Sequence, residues 1–156
     1  MLKNTFKVLA LSLAIAGSGL AVAADKVTYQ LDWLPGGDKA PVYVGIQQGF
    51  FADEDLEVSI ASGRGSTDAI TKIATGQSDL GSADIGALMA ARAQEEVPVS
   101  AIYMIFNQAP HAFFMLSSSD IESISDIQGK KVATSPFTSS NAFLPLVLEE
   151  NGMPAD

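Results

Sequence analysis

Four short stretches of this chain carry the polar and aromatic groups from which a site could be built. They are Asp32-Trp33-Leu34-Pro35-Gly36-Gly37, Gly63-Arg64-Gly65-Ser66-Thr67, Ser82-Ala83-Asp84 and Ser135-Pro136-Phe137-Thr138-Ser139-Ser140-Asn141. The carboxylates of Asp32 and Asp84 accept hydrogen bonds, while the hydroxyls of Ser66, Thr67, Ser82, Thr138 and Ser139 both donate and accept. Trp33, the one tryptophan of the chain, and Phe137 offer flat faces on which a ring can stack. This is the chemistry of holding a small solute. No nucleophile–base pair is visible: His111 is the lone histidine, no serine lies in a nucleophile-elbow sequence, and no metal-ligand spacing occurs. Each group also has a plainer use. Ser66, Thr67, Asp84 and Ser139 suit helix caps, and the glycines suit turns. Arg64 suits a solvated surface, Trp33 a core and His111 a structural role.

The elements that must position these groups alternate along the chain. Lys26-Val27-Thr28-Tyr29-Gln30-Leu31 alternates with a period of two and predicts a strand. Pro41 suits a first helical residue, and Val42, Tyr43, Ile46 and Phe50 then share one helical face. Leu56 to Ile60 predicts a second strand. A helix capped by Ser66 or Thr67 runs through Ile70 and Ile73 to Gly76, and Asp79-Leu80-Gly81 predicts a short strand. Asp84 caps a helix through Ile85, Leu88, Met89 and Arg92, and Val97 to Ile105 predicts another strand. This β-α-β-α-β-α-β order predicts an α/β fold, a parallel sheet covered by helices. Each of the four stretches then lies beyond a strand's carboxyl end and before a helix N-terminus. Ligands of open parallel sheets bind there, where backbone N–H groups lack intrahelical partners. Trp33 sits where its strand leaves the core, which suits the wall of a pocket.

A second unit is expected beyond Asn107 to Pro110. Ala112 to Leu116 and Lys130 to Thr134 predict strands, Asp120 to Gln128 a short helix or turn, and Ser139 to Asn151 a helix. Two strands and a helix cannot bury their own faces, so this second unit is expected to be truncated. The domain expectation is residues 1–24 as a signal peptide, 25–108 as a first lobe and 109–156 as the start of a second.

The signal peptide rests on Lys3 and Lys7, the apolar run Val8 to Ala16 and the small residues Ala21-Val22-Ala23-Ala24, with cleavage expected after Ala23 or Ala24. The run is too short to span a bilayer comfortably, which takes about 20 residues. The chain has no cysteine, so neither disulfides nor a thiol-linked lipid anchor are available, and a periplasmic location is expected. Removing Lys3 and Lys7 takes the formal net charge of −9 to −11. Such a surface repels phosphate backbones, so nucleic acid is not an expected partner.

The stretch Leu31-Asp32-Trp33-x-Pro35, followed by Tyr43-Val44, Gly49-Phe50-Phe51 and Leu56-Glu57-Val58, resembles the SsuA/THI5-like (NMT1) family. Gly65-Ser66-Thr67, Gly76-Gln77-x-Asp79, Ser82-Ala83-Asp84 and Ile127-x-Gly129-Lys130-Lys131-Val132 continue the likeness, which covers Lys26 to Gly152. The resemblance implies a type II periplasmic binding protein-like fold: two lobes with parallel-rich sheets flanked by helices, closing over a small solute, with the second lobe incomplete here. It implies the soluble substrate-binding component of an ABC importer, a monomer when full length, working with an inner-membrane permease and needing no cofactor.

Leu-Asp-Trp looks most like the branch that binds thiamine pyrimidine precursors, although Lys39 stands where that branch often has a histidine. Asp32 and Asp84 at the cleft loops agree with an amino-bearing, pyrimidine-like heterocycle, since a buried carboxylate disfavours an anion and accepts from N–H groups. An aliphatic sulfonate such as taurine is the alternative ligand. Two other classes remain: a truncated remnant that binds nothing, and an enzyme resembling the family's iron-dependent pyrimidine synthase of yeasts. That enzyme is marked by a cysteine-rich motif and a histidine, and this chain has no cysteine and Lys39 at the histidine position.

Overall fold

The computed structural model describes residues 23–94, 97–108 and 111–155. The expected signal peptide falls on residues 1–24 and so lies almost wholly outside the described residues, as does part of the expected boundary near Asn107 to Pro110.

The architecture is α/β, as the alternation predicts. Three parallel strands form one sheet: β1 (Asp25–Gln30) at the centre, β2 (Leu56–Ala61) on one side and β3 (Leu80–Gly81) on the other. Asp25 pairs with Leu56 and Gln30 with Ala61, while Tyr29 pairs with Leu80. Between the strands run helices α1 (Ala40–Gln47) and α2 (Ser66–Ala74); α3 (Ile85–Gln94) follows β3, and α4 (Ser139–Glu150) comes later. Ile70 of α2 packs on Ala87 and Leu88 of α3, with Ala91, Val97 and Val99 half-buried around them.

The carboxyl end of β1 is fixed by one side chain. Gln30 is 1% exposed. Its amide nitrogen donates to the carbonyls of Leu31 at 2.9 Å, Ser62 at 3.0 Å and Ala61 at 3.3 Å. The hydroxyl of Ser78 donates to its Oε1 at 3.2 Å. One buried amide thus satisfies polar groups from β1, the loop after β2 and the approach to β3, in a place where unmet groups would be costly. Gly63 is required beside it, because a Cβ there would lie 2.0 Å from the Leu31 carbonyl oxygen.

Three expected strands do not form. Residues 97–105, 112–116 and 130–134 pair with no described segment. Val97 to Val99 instead closes a tight turn about Pro98, in which the Val99 N–H donates to the Val97 carbonyl at 2.8 Å and Pro98 has no N–H to offer a ladder. The other two segments have the composition of strands but no neighbour to receive their backbone groups. Ile102 and Phe114 are left 86% and 92% exposed. The apolar face expected on α1 is also largely unburied: Tyr43, Ile46 and Phe50 are exposed, and Gly45 makes the close contact instead, against the ring of Phe51. The short turn expected within Asp120 to Gln128 is a 3-10 helix at Ile124–Ile127, opened by a capping box between Ser123 and Asp126.

Candidate functional site: polar clusters at the ends of the strands

Three groupings of side chains meet where β1 and β3 end and α2, α3 and α4 begin. The first is built on Asp32. Its Oδ1 receives the Lys39 ammonium at 2.5 Å and the Ser82 hydroxyl at 3.1 Å. Lys39 also reaches Asp38 at 2.8 Å. The Lys39 side chain is only 10% exposed and that of Asp32 27%. Burial by itself lowers the ammonium's pKa, but hydrogen bonds and charge from Asp32 and Asp38 outweigh it and raise the pKa above the usual lysine value. Its hydrogen bond to Lys39 in turn holds the Asp38 carboxyl below the usual range. Trp33 follows Asp32 and is 43% exposed; its carbonyl accepts the Gly63 N–H at 3.2 Å. It is not a core residue; Leu31, two positions earlier, is fully buried.

The second grouping joins Ser66, Asp84, His111 and Ser139. The caps differ from the expected ones here, and usefully. Gly65 and Thr138 occupy the N-cap positions, so Ser66 and Ser139 are the first residues of their helices, and their hydroxyls face other elements. The Asp84 N–H donates to Ser66 Oγ at 3.0 Å, and Asp84 Oδ1 accepts the Ala87 N–H at 3.1 Å, capping α3 as its position predicts. Ser139 Oγ shares a 2.9 Å hydrogen bond with His111 Nε2, and Asp84 Oδ2 lies 3.9 Å from that same nitrogen. The Phe143 ring meets the imidazole edge-on, centroids 5.3 Å apart. A serine, a histidine and an aspartate are therefore neighbours, although they are distant in sequence. They are not a proton relay: in a relay the hydroxyl and the carboxylate sit on opposite ring nitrogens, and here both meet Nε2.

The third grouping joins the loop before α2 to the loop before α4. The Thr67 N–H donates to the Phe137 carbonyl at 3.2 Å. Gly65, at φ +149°, passes so close that a Cβ would lie 1.9 Å from that carbonyl oxygen. Arg64 lies over the Phe137 ring, 4.7 Å from its centroid, a cation–π contact. Arg64 is held there by Asp68 at 2.7 Å, and Lys72 reaches the same buried carboxylate at 3.0 Å. The hydrogen bond from Arg64 and the charge of Lys72 depress the Asp68 pKa against the opposing effect of burial. Thr138 turns inward on its own loop, donating to the Ser135 carbonyl at 2.9 Å.

Asp32, Lys39 and Ser82 thus come together, as do Ser66, Asp84 and Ser139, while Phe137 carries Arg64 on one ring face. The sequence suggests a solvated surface for Arg64 and a structural role for His111, and it does not single out Asp68; the Arg64 side chain is indeed exposed, though held over Phe137. The spacing of Arg64, Asp68 and Lys72 at four residues is a helical ion-pair signal and was there to be read. Nothing local marked His111.

Two cavities adjoin these groupings. One of about 680 Å³ is walled by His111, Phe113, Met115, Val132, Phe143 and Val147 among others, and one of about 460 Å³ lies among Ile70, Ala87, Ala91 and Ala142. Their walls are mainly hydrocarbon. The clustered donors and acceptors at the strand ends are the better site, because polar groups that converge are what orient a ligand. Among the described residues no group of three or more histidine, aspartate or glutamate side chains is placed to hold a metal ion, and no helix is long and apolar enough to cross a membrane.

The sequence profile of the family described as NMT1/THI5 like matches residues 37–156. This chain belongs to that family. Its fold is periplasmic-binding-protein-like, in keeping with a parallel sheet flanked by helices. A formylaminopyrimidine-binding protein of Halalkalibacterium halodurans is 29% identical over 157 residues, covering 96% of this chain and 47% of that relative. A 4-amino-5-hydroxymethyl-2-methylpyrimidine phosphate synthase of Legionella pneumophila is 31% identical over 107 residues, 69% of this chain and 34% of the relative. A synthase of the same description from Saccharomyces cerevisiae is 25% identical over 112 residues, 71% of this chain and 33% of the relative. The chain therefore spans half or less of the length of these relatives. No solved structure matches it.

Proposed function

We propose that this chain belongs to a substrate-binding protein that captures a neutral, amino-bearing pyrimidine and delivers it to an ABC permease. It works in the periplasm, as a monomer, and performs no covalent chemistry. The observation that carries this reading is the Asp32 carboxylate, fixed at the end of β1 by Lys39 and Ser82 beside the exposed Trp33. A positioned carboxylate accepts from an exocyclic amino group, and an indole beside it stacks on the heterocycle. Asp84, Ser66 and Ser139 supply further polar contacts across the same face. The likeness to a formylaminopyrimidine-binding protein along 96% of the chain supports the same solute class. Lobe closure over the ligand is a population shift driven by differential contacts.

The test is fluorescence of Trp33, the one tryptophan, in the purified protein titrated with formylaminopyrimidine and, separately, with taurine. Saturable quenching by the pyrimidine alone is expected, and Trp33→Ala weakens binding measured by calorimetry about tenfold, the scale of a lost stacking contact. Saturation by taurine alone sinks the reading in favour of a sulfonate binder. A second reading follows from the synthase relatives: formation of a pyrimidine phosphate from pyridoxal phosphate by the purified protein would make it an enzyme. Fractionation of cells that express the whole gene tests the location.

A further inference from the structure

We infer that Lys39 sets the charge selectivity of the site, turning away cationic ligands and leaving Asp32 to receive a neutral N–H donor. The inference rests on the pyrimidine reading above and narrows it. Lys39 is an odd choice on local grounds. It is the N-cap residue of α1, with no side-chain hydrogen bond to that helix. A cation at a helix N-terminus meets the positive end of the helix dipole and is disfavoured there. Yet its side chain is only 10% exposed and its ammonium lies 2.5 Å from Asp32 Oδ1. The carboxylates, not the helix, hold it.

The consequence lies in the charge of Asp32. A bare carboxylate in a half-buried cleft attracts any cation. With the ammonium against it, most of that attraction is already met, and an arriving cation would feel Lys39 at nearly the same distance. Asp38, the other carboxylate on Lys39, is about half exposed, so water screens it more than Asp32. Both contacts to Asp32 fall on Oδ1. A carboxylate has room for about four hydrogen bonds, so Oδ2 retains acceptor capacity for an amino group that brings no charge. Ser82 fixes the carboxylate's rotation from the side of β3, so orientation does not depend on Lys39 alone.

A matched pair of ligands tests this. The hydroxymethyl aminopyrimidine is neutral, and its aminomethyl analogue has nearly the same size but is cationic at neutral pH. Calorimetry on the wild-type protein should show the hydroxymethyl compound preferred by roughly tenfold or more, the scale of one partly screened like-charge contact. In Lys39→Met the preference should vanish or reverse. In Lys39→Arg, which keeps the charge, it should persist; Lys39→Gln, neutral but able to hydrogen-bond Asp32, should behave as Lys39→Met and decides the matter if that variant is poorly folded. A lysine that only braces the loop would, when replaced, weaken both ligands by one factor. An unchanged ratio in Lys39→Met, with the neutral compound still bound, therefore overturns the selectivity role alone. Failure of the wild type to bind either compound overturns the pyrimidine reading and this inference together.

Discussion

Residues 25–94 and residues 97–134 have similar strand-like patterns, yet only the first region builds a sheet. In the first, β1 has a partner on each side, Gln30 ties the three strand ends together, and α2 and α3 share a core. In the second, 112–116 is at least as apolar as β2 and 130–134 carries Val132 and Thr134, yet neither pairs with a described segment, and their side chains stand largely in solvent. Alternation and β-branched residues state that a segment fits a pleated surface. Whether that surface exists depends on a neighbour's backbone, which the segment's own sequence does not encode.

The contrast can be broken most forcefully where the first region meets the loop before α4. Gly65→Val places a side chain into the Phe137 carbonyl at a positive φ, and should destabilise the protein by about 3 kcal/mol in denaturant unfolding. A change near zero would mean the contact between the loops is not kept in solution. Gln30→Leu removes the amide that unites the strand ends and should lower stability by about 2 kcal/mol, since the buried Leu31 carbonyl loses its donor and the Ser78 hydroxyl its acceptor. Asp68→Asn should cost about 1 kcal/mol at neutral pH, discounted because Arg64 is largely exposed. Because the folded-state pKa of Asp68 is lowered from 3.8, its stabilising contribution is present above that value and is lost as pH falls through the lower, folded-state value. Acid titration of unfolding should therefore be shallower in Asp68→Asn than in the wild type. At the other extreme, Phe114→Ser in the unpaired region should change stability by less than about 0.5 kcal/mol, because the ring is already 92% exposed. A loss near that of Gln30→Leu would show that the second region is better packed than its exposure indicates.

Much of the first region was legible in advance. β1, β2, β3 and α1 to α3, and beyond this region α4, begin within a residue or two of the positions that periodicity and turn residues predict. The Asp84 cap and the grouping of the strand-end loops follow from βα order alone. What escaped reading depended on contacts between distant residues. Ser66 and Ser139 had the right type and place for caps, but glycine and threonine one position earlier took that role, and the freed hydroxyls found Asp84 and His111 instead. His111 looked solitary because its partners lie 27 and 28 positions away in opposite directions. Only family likeness marks Lys39 in the sequence, whereas its grip on Asp32 is a matter of three-dimensional approach.

The central place of β1 in the sheet also bears on the order in which the chain can assemble. β1 leaves the ribosome first among the described strands and waits longest for company. Asp25 must wait for Leu56, 31 residues later, and Tyr29 for Leu80, 51 residues later. Parallel pairing of this kind carries a loop-closure cost before any hydrogen bond repays it, so the sheet forms late and slowly. A nascent chain arranged in this way stays threadable for longer than one that opens with a hairpin, and it leaves a longer interval in which chaperones or a narrow channel can engage it before it sets.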